Sequence, residues 1–184
     1  IYGDPLATKT IVLFGDSHAA QWFPALEVLS IKHKWRLISL TKSACPSMIY
    51  EPFDDQMNRF YFECTEWRKK AFEKISKLKP HLTILANSNG YFLTNEEGKI
   101  SIEDSKVWQH GVRETLTKLS ETSASVVIMR DTPWLNFNAP ICLSRADWQK
   151  KDFATFCKFN VFNAKSKAFF DLEQNELVKM DRAI

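Results

Sequence analysis

Apolar residues gather in four short runs, Ile11–Phe14, Trp35–Leu40, His81–Ala86 and Ser125–Met129, and none alternates strictly with polar residues. Runs of this length without alternation mark strands that are covered on both faces. Between them the spacing becomes helical. Trp22, Phe23, Leu26 and Leu29 mark one face, and Trp67, Ala71, Ile75 and Leu78 mark a second that ends at Pro80. Val107, Trp108, Val112, Leu116 and Leu119 mark a third. Pro24 suits the first turn of its helix, where an N–H would have no intrahelical acceptor. A helix around 160–174 and a fifth short strand at Leu177–Met180 complete the pattern. The order βαβαβαβ predicts a three-layer α/β/α sandwich with a flavodoxin-like parallel sheet of about five strands and right-handed crossovers. A single domain spans 1–184.

Ligands bind at the carboxyl ends of the strands in such a sheet, so the residues that follow each run are the ones to read for chemistry. The first strand ends in Gly15-Asp16-Ser17, the second in Thr41-Lys42-Ser43-Ala44, the third in Asn87-Ser88-Asn89-Gly90, and the fourth in Arg130-Asp131-Thr132-Pro133. In a strand order 2-1-3-4-5 the second and third strands flank the first, and their ends converge on Ser17. A serine hydroxyl held where a strand turns into a helix is a candidate nucleophile. The amide of Ser17, an amide near Ser43 or Ala44, and an Asn side chain from the third strand would then surround a tetrahedral oxyanion. The competing reading is local: Asp16 or Ser17 caps the next helix, and Asn87 or Asn89 shapes a turn.

Composition narrows the class. The chain is 26% charged and 45% hydrophobic, as an ordinary globular domain is, and no apolar run is long enough to span a membrane. Its 25 basic and 22 acidic residues are interspersed, so no basic stripe points to nucleic acid. Lys32-His33-Lys34 and Lys150-Lys151 read as solvated surface. Cys45, Cys64, Cys142 and Cys157 are too widely spaced for a zinc site, and neither a metal nor a cofactor is expected. Pairing Cys45 with Cys64 and Cys142 with Cys157 is the simplest of three disulfide connectivities, each closing a loop that leaves the sheet. Such bridges imply an oxidising compartment; the alternative is four buried thiols in a reducing one.

Gly15-Asp16-Ser17-His18-Ala19, Lys42-Ser43-Ala44-Cys45-Pro46 and Leu85-Ala86-Asn87-Ser88-Asn89-Gly90 resemble the first three blocks of the SGNH (GDSL-like) hydrolases. The resemblance covers essentially the whole chain. It is narrowest to the extracytoplasmic SGNH domain fused to acyltransferase-3 membrane proteins, which Arg130-Asp131-Thr132-Pro133 and Cys142 also resemble. It implies Ser17 as nucleophile and oxyanion amide, Ser43 or Ala44 as a second amide, and Asn87 as the side-chain donor, with Asn89 as its alternative. The second block usually carries Gly where this chain has Ala44, and the third usually reads Gly-x-Asn. His18, Asn89, Tyr91, Asp131 and Trp134 are expected to line the substrate site. Tyr91, Phe92, Trp134 and Phe137 would stack on sugar rings, with loop packing as their competing role. Asp131 is expected to hold its own loop through backbone amides rather than to join a triad.

The family closes with Asp-x-x-His, which activates the serine, and this chain contains no such motif. Of its four histidines, His18 adjoins the nucleophile and its side chain diverges from it; His33 ends a helix, His81 opens the third strand, and His110 lies mid-helix. The expectation is a domain truncated before that block, with the nucleophile and oxyanion half of a site and low residual activity. For the whole protein the resemblance implies a ping-pong reaction. A membrane acyltransferase-3 domain of the same polypeptide delivers an acyl group, most simply acetyl, which becomes an ester on Ser17 and passes to a hydroxyl of an envelope polysaccharide. That protein would be extracytoplasmic and tethered through an N-terminal transmembrane domain. A carbohydrate O-acetyl esterase and a non-catalytic polysaccharide-binding module are the alternatives. A phospho-receiver is disfavoured, because Asn87 stands where its phosphorylated Asp would end strand three.

Overall fold

The structure, a computed structural model, describes residues 1–54, 57–91, 101–133, 135, 137–159 and 164–180, apart from the side chains of 102–103 and 164–166. Its strands are β1 (Tyr2–Gly3), β2 (Thr10–Gly15), β3 (Arg36–Thr41), β4 (Phe53–Asp54), β5 (Arg59–Phe60), β6 (Leu82–Ala86) and β7 (Val126–Met129). Its helices are α1 (Ser17–Ala20), α2 (Phe23–His33), α3 (Phe62–Leu78), α4 (Ile102–Ser120), α5 (Ala139–Trp148), α6 (Phe153–Phe156) and α7 (Ala164–Leu177). The main sheet runs β1-β3-β2-β6-β7, while β4 and β5 form a separate hairpin.

Every residue of β2 is buried, as its unbroken apolar run requires of a central strand. Alternate side chains enter two cores. Val12, Phe14, Ile38 and Leu85 meet Ala71, Ile75, Trp108, Val112, Leu116 and Leu119 on one face. Ile11, Leu13, Leu37 and Ile84 meet Trp22, Phe23 and Leu26 on the other. Two helical layers around one sheet follow directly, giving the three-layer sandwich. The parallel strands take the expected order 2-1-3-4, with Gly15 in register with both Thr41 and Ala86.

Three expectations change. The fifth strand of the sheet is β1, antiparallel to β3, and not Leu177–Met180. There the amides of Val178 and Met180 donate to the carbonyls of Gln174 and Leu177, so helical turns continue to Met180. Leu177 and Met180 both reach the core while Val178 is exposed, a spacing of three that a strand would split between its faces. The helix expected around 160–174 is Ala164–Leu177, and 160–163 lie outside the described residues. Leu29 and Val107, read as inward, sit at the margins of their helix faces and are exposed.

Helix α7 is clamped to α4 by a buried acid. Glu176 accepts from Gln109 Nε2 at 2.8 Å, Arg113 Nε at 2.8 Å and Lys179 Nζ at 2.6 Å. The Arg113 hydrogen bond above all holds its carboxyl down to about 2. Both disulfides take the expected pairing, Cys45–Cys64 and Cys142–Cys157. Among the described residues no helix is long and apolar enough to cross a membrane.

At Gly15 the backbones of β2 and β6 approach closely. A Cβ there would lie 1.9 Å from the Ala86 carbonyl oxygen, so only glycine lets β2 turn toward Ser17 without separating from β6. Gly15→Ala is expected to destabilise the fold by about 3 kcal/mol or more, read as a lowered urea midpoint. Replacing Cys45 and Cys64 together by Ser, which opens a bridge between positions 19 residues apart, is expected to cost about 3 kcal/mol in the same assay.

Candidate active site

Four strand ends meet at one edge of the sheet. Ser17, exposed, opens α1 immediately after Asp16, whose side chain caps that helix and is buried. Of the two caps offered by this turn, Asp16 takes the role, which leaves the Ser17 hydroxyl uncommitted to capping. Asp16 Oδ1 accepts from the His18 amide at 2.7 Å, and Oδ2 accepts from the Ser88 amide at 2.8 Å and the Tyr91 hydroxyl at 2.5 Å. A buried carboxylate with three donors is satisfied, and it binds the β2 turn to the loop after β6.

Asp131, after β7, does the same from the other side. Its Oδ2 accepts from the Asn89 amide at 2.9 Å, and its Oδ1 accepts from the Thr132 amide at 2.7 Å. The loop-holding role expected of Asp131 is thus present. Oδ1 also lies 2.5 Å from His18 Nδ1, a contact the sequence reading did not foresee. The Asp131 side chain is only 5% exposed, whereas that of His18 is 30% exposed.

The turn after β3 supplies the third wall. Lys42 N–H donates to the Gly15 carbonyl and Cys45 N–H to the Lys42 carbonyl, leaving the amides of Ser43 and Ala44, both exposed, outside the backbone ladder. Ala44 has φ +53°, in the left-handed region where glycine is at ease. The glycine usual at this position thus has a backbone reason, and Ala44 holds the same geometry at some cost. Behind it, buried Arg68 donates to the Pro46 carbonyl at 3.0 Å, and burial lowers its guanidinium to about 10.

Asn87 is buried with its orientation fixed: Oδ1 accepts from Ser47 N at 2.7 Å and Ser47 Oγ at 3.0 Å. Its Nδ2, also buried, has no hydrogen-bond partner among the described residues. Asn89 is tied through its main chain to Asp131. Ser47, which sets the Asn87 orientation, carried no signal in the sequence.

Tyr91 is not the exposed aromatic anticipated from the sequence. Its ring stacks on Trp108 and meets Tyr50 edge-on, and burial followed by the charge of Asp16 raises its phenol far above the ordinary value. Loop packing won because the hydroxyl found a buried carboxylate. Phe137 is half-buried on the loop before α5, and Trp134 and Phe92 lie outside the described residues. His81 receives the Thr10 amide at the opposite end of β2, His33 stacks on Trp35, and His110 is exposed on α4. Nearby, burial and then the charge of Asp131 push the Glu173 carboxyl up to about 8, against a hydrogen bond with Trp108.

A family model described as "SGNH domain (fused to AT3 domains)" matches residues 1–179. No curated protein sequence matches the chain. Among solved structures, the periplasmic domain of the Salmonella ser. Paratyphi A lipopolysaccharide acetyltransferase superposes with a TM-score of 0.68 at 18% identity. The match covers 97% of this chain and 66% of that one, so the two share a fold and this chain spans just under two thirds of its neighbour.

Two outcomes follow for this cluster. Asp16→Asn weakens three charge-assisted hydrogen bonds at once and is expected to cost about 3 kcal/mol in thermal or urea unfolding. Glu173 retains its proton to about 8 in the folded chain but releases it near 4.5 when unfolded. Between those values the folded state binds more protons, so stability declines as pH rises through the window and levels off above it. Urea midpoints across that range should show the decline, and Glu173→Gln should flatten it.

Proposed function

The chain belongs to the SGNH domains that occur fused to AT3 domains, and from that premise we propose that it transfers an acyl group through an ester on Ser17. The group is acetyl and the acceptor a hydroxyl of an envelope polysaccharide. The buried, oriented and unpartnered Nδ2 of Asn87 is the observation that carries this reading. A donor with no partner costs stability unless a ligand supplies the acceptor. At the end of the strand beside β2, it suits an oxyanion formed on the carbon that Ser17 attacks.

In the first half-reaction Ser17 Oγ bonds to the acyl carbonyl carbon as the donor's leaving group departs, and the proton Oγ loses goes to that group or, where it leaves as an anion, to solvent. The negative charge on the carbonyl oxygen is met by the amide of Ser17, the Ser43 or Ala44 amide, and Asn87 Nδ2. In the second, an acceptor hydroxyl oxygen takes the acyl carbon, the C–Oγ bond breaks, and the acceptor's proton is in net returned to Ser17 Oγ. An esterase differs only in that water is the acceptor. The two disulfides support an extracytoplasmic site of action. The family description supports acyl delivery by a membrane acyltransferase-3 domain of the same polypeptide, to which the chain is tethered. His18, Asn89 and Asp131 line the acceptor side in this proposal.

With p-nitrophenyl acetate as donor, intact-mass analysis should find one acetyl group, mapped to Ser17. Ser17→Ala should abolish the adduct and lower turnover about a thousandfold or more. Asn87→Ala should slow acylation about 100-fold while leaving far-ultraviolet circular dichroism unchanged. Unchanged turnover in Ser17→Ala sinks the acyl-serine reading.

A further inference from the structure

Read in sequence, His18 is no evident base, because its side chain diverges from the serine it follows. The tertiary structure changes what His18 is. Asp131, 113 positions away, sits 2.5 Å from its Nδ1. The Asp131 oxygens also accept from the amides of Asn89 and Thr132, which fix the carboxylate before the imidazole arrives. An ionised carboxylate only accepts, so Nδ1 carries the ring's proton and Nε2 presents a lone pair. The ring is 30% exposed, at the turn that carries Ser17. A carboxylate buried behind an imidazole that remains open to solvent is the arrangement that selects one tautomer and steadies the ring when it takes up a proton.

We propose that His18, held by Asp131, accepts the proton of the acceptor hydroxyl in the second half-reaction; this rests on the acyl-Ser17 reading. Adjacent side chains at a helix start point in different directions, so His18 is poorly placed to deprotonate Ser17 Oγ. Its imidazole is instead partly open to solvent beside Ser17, the side from which an acceptor arrives. The acceptor oxygen forms its bond to the acyl carbon as its proton moves to His18 Nε2. The tetrahedral intermediate then collapses, the C–Oγ bond breaks, and a solvent water relays the proton from Nε2 to the departing Ser17 oxygen, so that no water is consumed. Atoms and charge balance, and no other reactant is required. His18 is the catalytic group and Asp131 its positioning residue.

The test separates the two half-reactions on the chain as it stands, using p-nitrophenyl acetate with water as acceptor. Its leaving group departs without protonation. In His18→Gln, Ser17 should still become acetylated, but the adduct should persist, with deacylation slowed about 100-fold or more after excess ester is removed. Asp131→Asn should slow the same step, and imidazole ¹⁵N spectra should show His18 leaving the Nδ1–H tautomer, a change that loosened packing alone does not produce. An adduct that clears from His18→Gln at the wild-type rate, or an unchanged tautomer in Asp131→Asn, overturns the proposal and leaves acyl-Ser17 intact. No acetyl group on Ser17 in the wild-type chain overturns the functional reading itself, and the proposal with it.

Discussion

The Asp16 carboxylate is the constraint on which the site depends. A charge buried at the end of a central strand is unfavourable unless donors replace the water it loses, and its three come from separate places: its own helix, the Ser88 amide and the Tyr91 hydroxyl. Satisfying the charge therefore fixes the loop after β6 against the turn after β2. Asp131 repeats the device from β7, gripping the same loop one residue further on, at Asn89. Two anions on different strands thus share one short segment, and Ser17 and Asn87 are set by it.

The wall opposite is built from packing and covalent constraint instead. The Cys45–Cys64 bridge and the Arg68 guanidinium hold the segment after β3 against α3, and Ser47 within it turns the Asn87 amide. Ala44 keeps a left-handed backbone that costs an L-residue roughly 1–2 kcal/mol, evidence that the surrounding structure dictates the turn. A rigid second wall of this kind suits catalysis, because oxyanion donors contribute most when they need no reorganisation.

The acids near the site show how environment divides identical chemistry. Asp16 and Asp131 are each met by several donors, whereas Glu173 is met by burial and by the charge of Asp131, and keeps its proton at neutral pH. Asp131, whose charge helps to keep that proton on Glu173, is the carboxylate against His18. Glu176, three residues along α7, is ionised because Arg113 reaches it. One helix thus contributes a neutral acid toward the site and an ionised acid toward α4.

What the sequence by itself determined was whatever rests on local periodicity: four unbroken apolar runs, three helical faces, the strand order implied by their alternation, and the residues at the strand ends. The candidates Ser17, Ser43 or Ala44, and Asn87 or Asn89 were legible as strand-end residues because strand ends lie where the hydrophobic pattern stops. The disulfide pairing was legible because each bridge closes a short loop. Contacts with long sequence separation were decided only by the tertiary structure. His18 meets Asp131 across 113 positions and Ser47 meets Asn87 across 40, and a hydrogen bond has no periodicity to announce it. Tyr91 turned inward to a buried anion, and Leu177–Met180 stayed helical because its apolar residues match α4 and the core at a spacing of three. The sheet's fifth strand came from Tyr2–Gly3, two residues too few to carry any pattern, held by pairing with β3 and by the Tyr2 ring edge-on against Phe23 of α2.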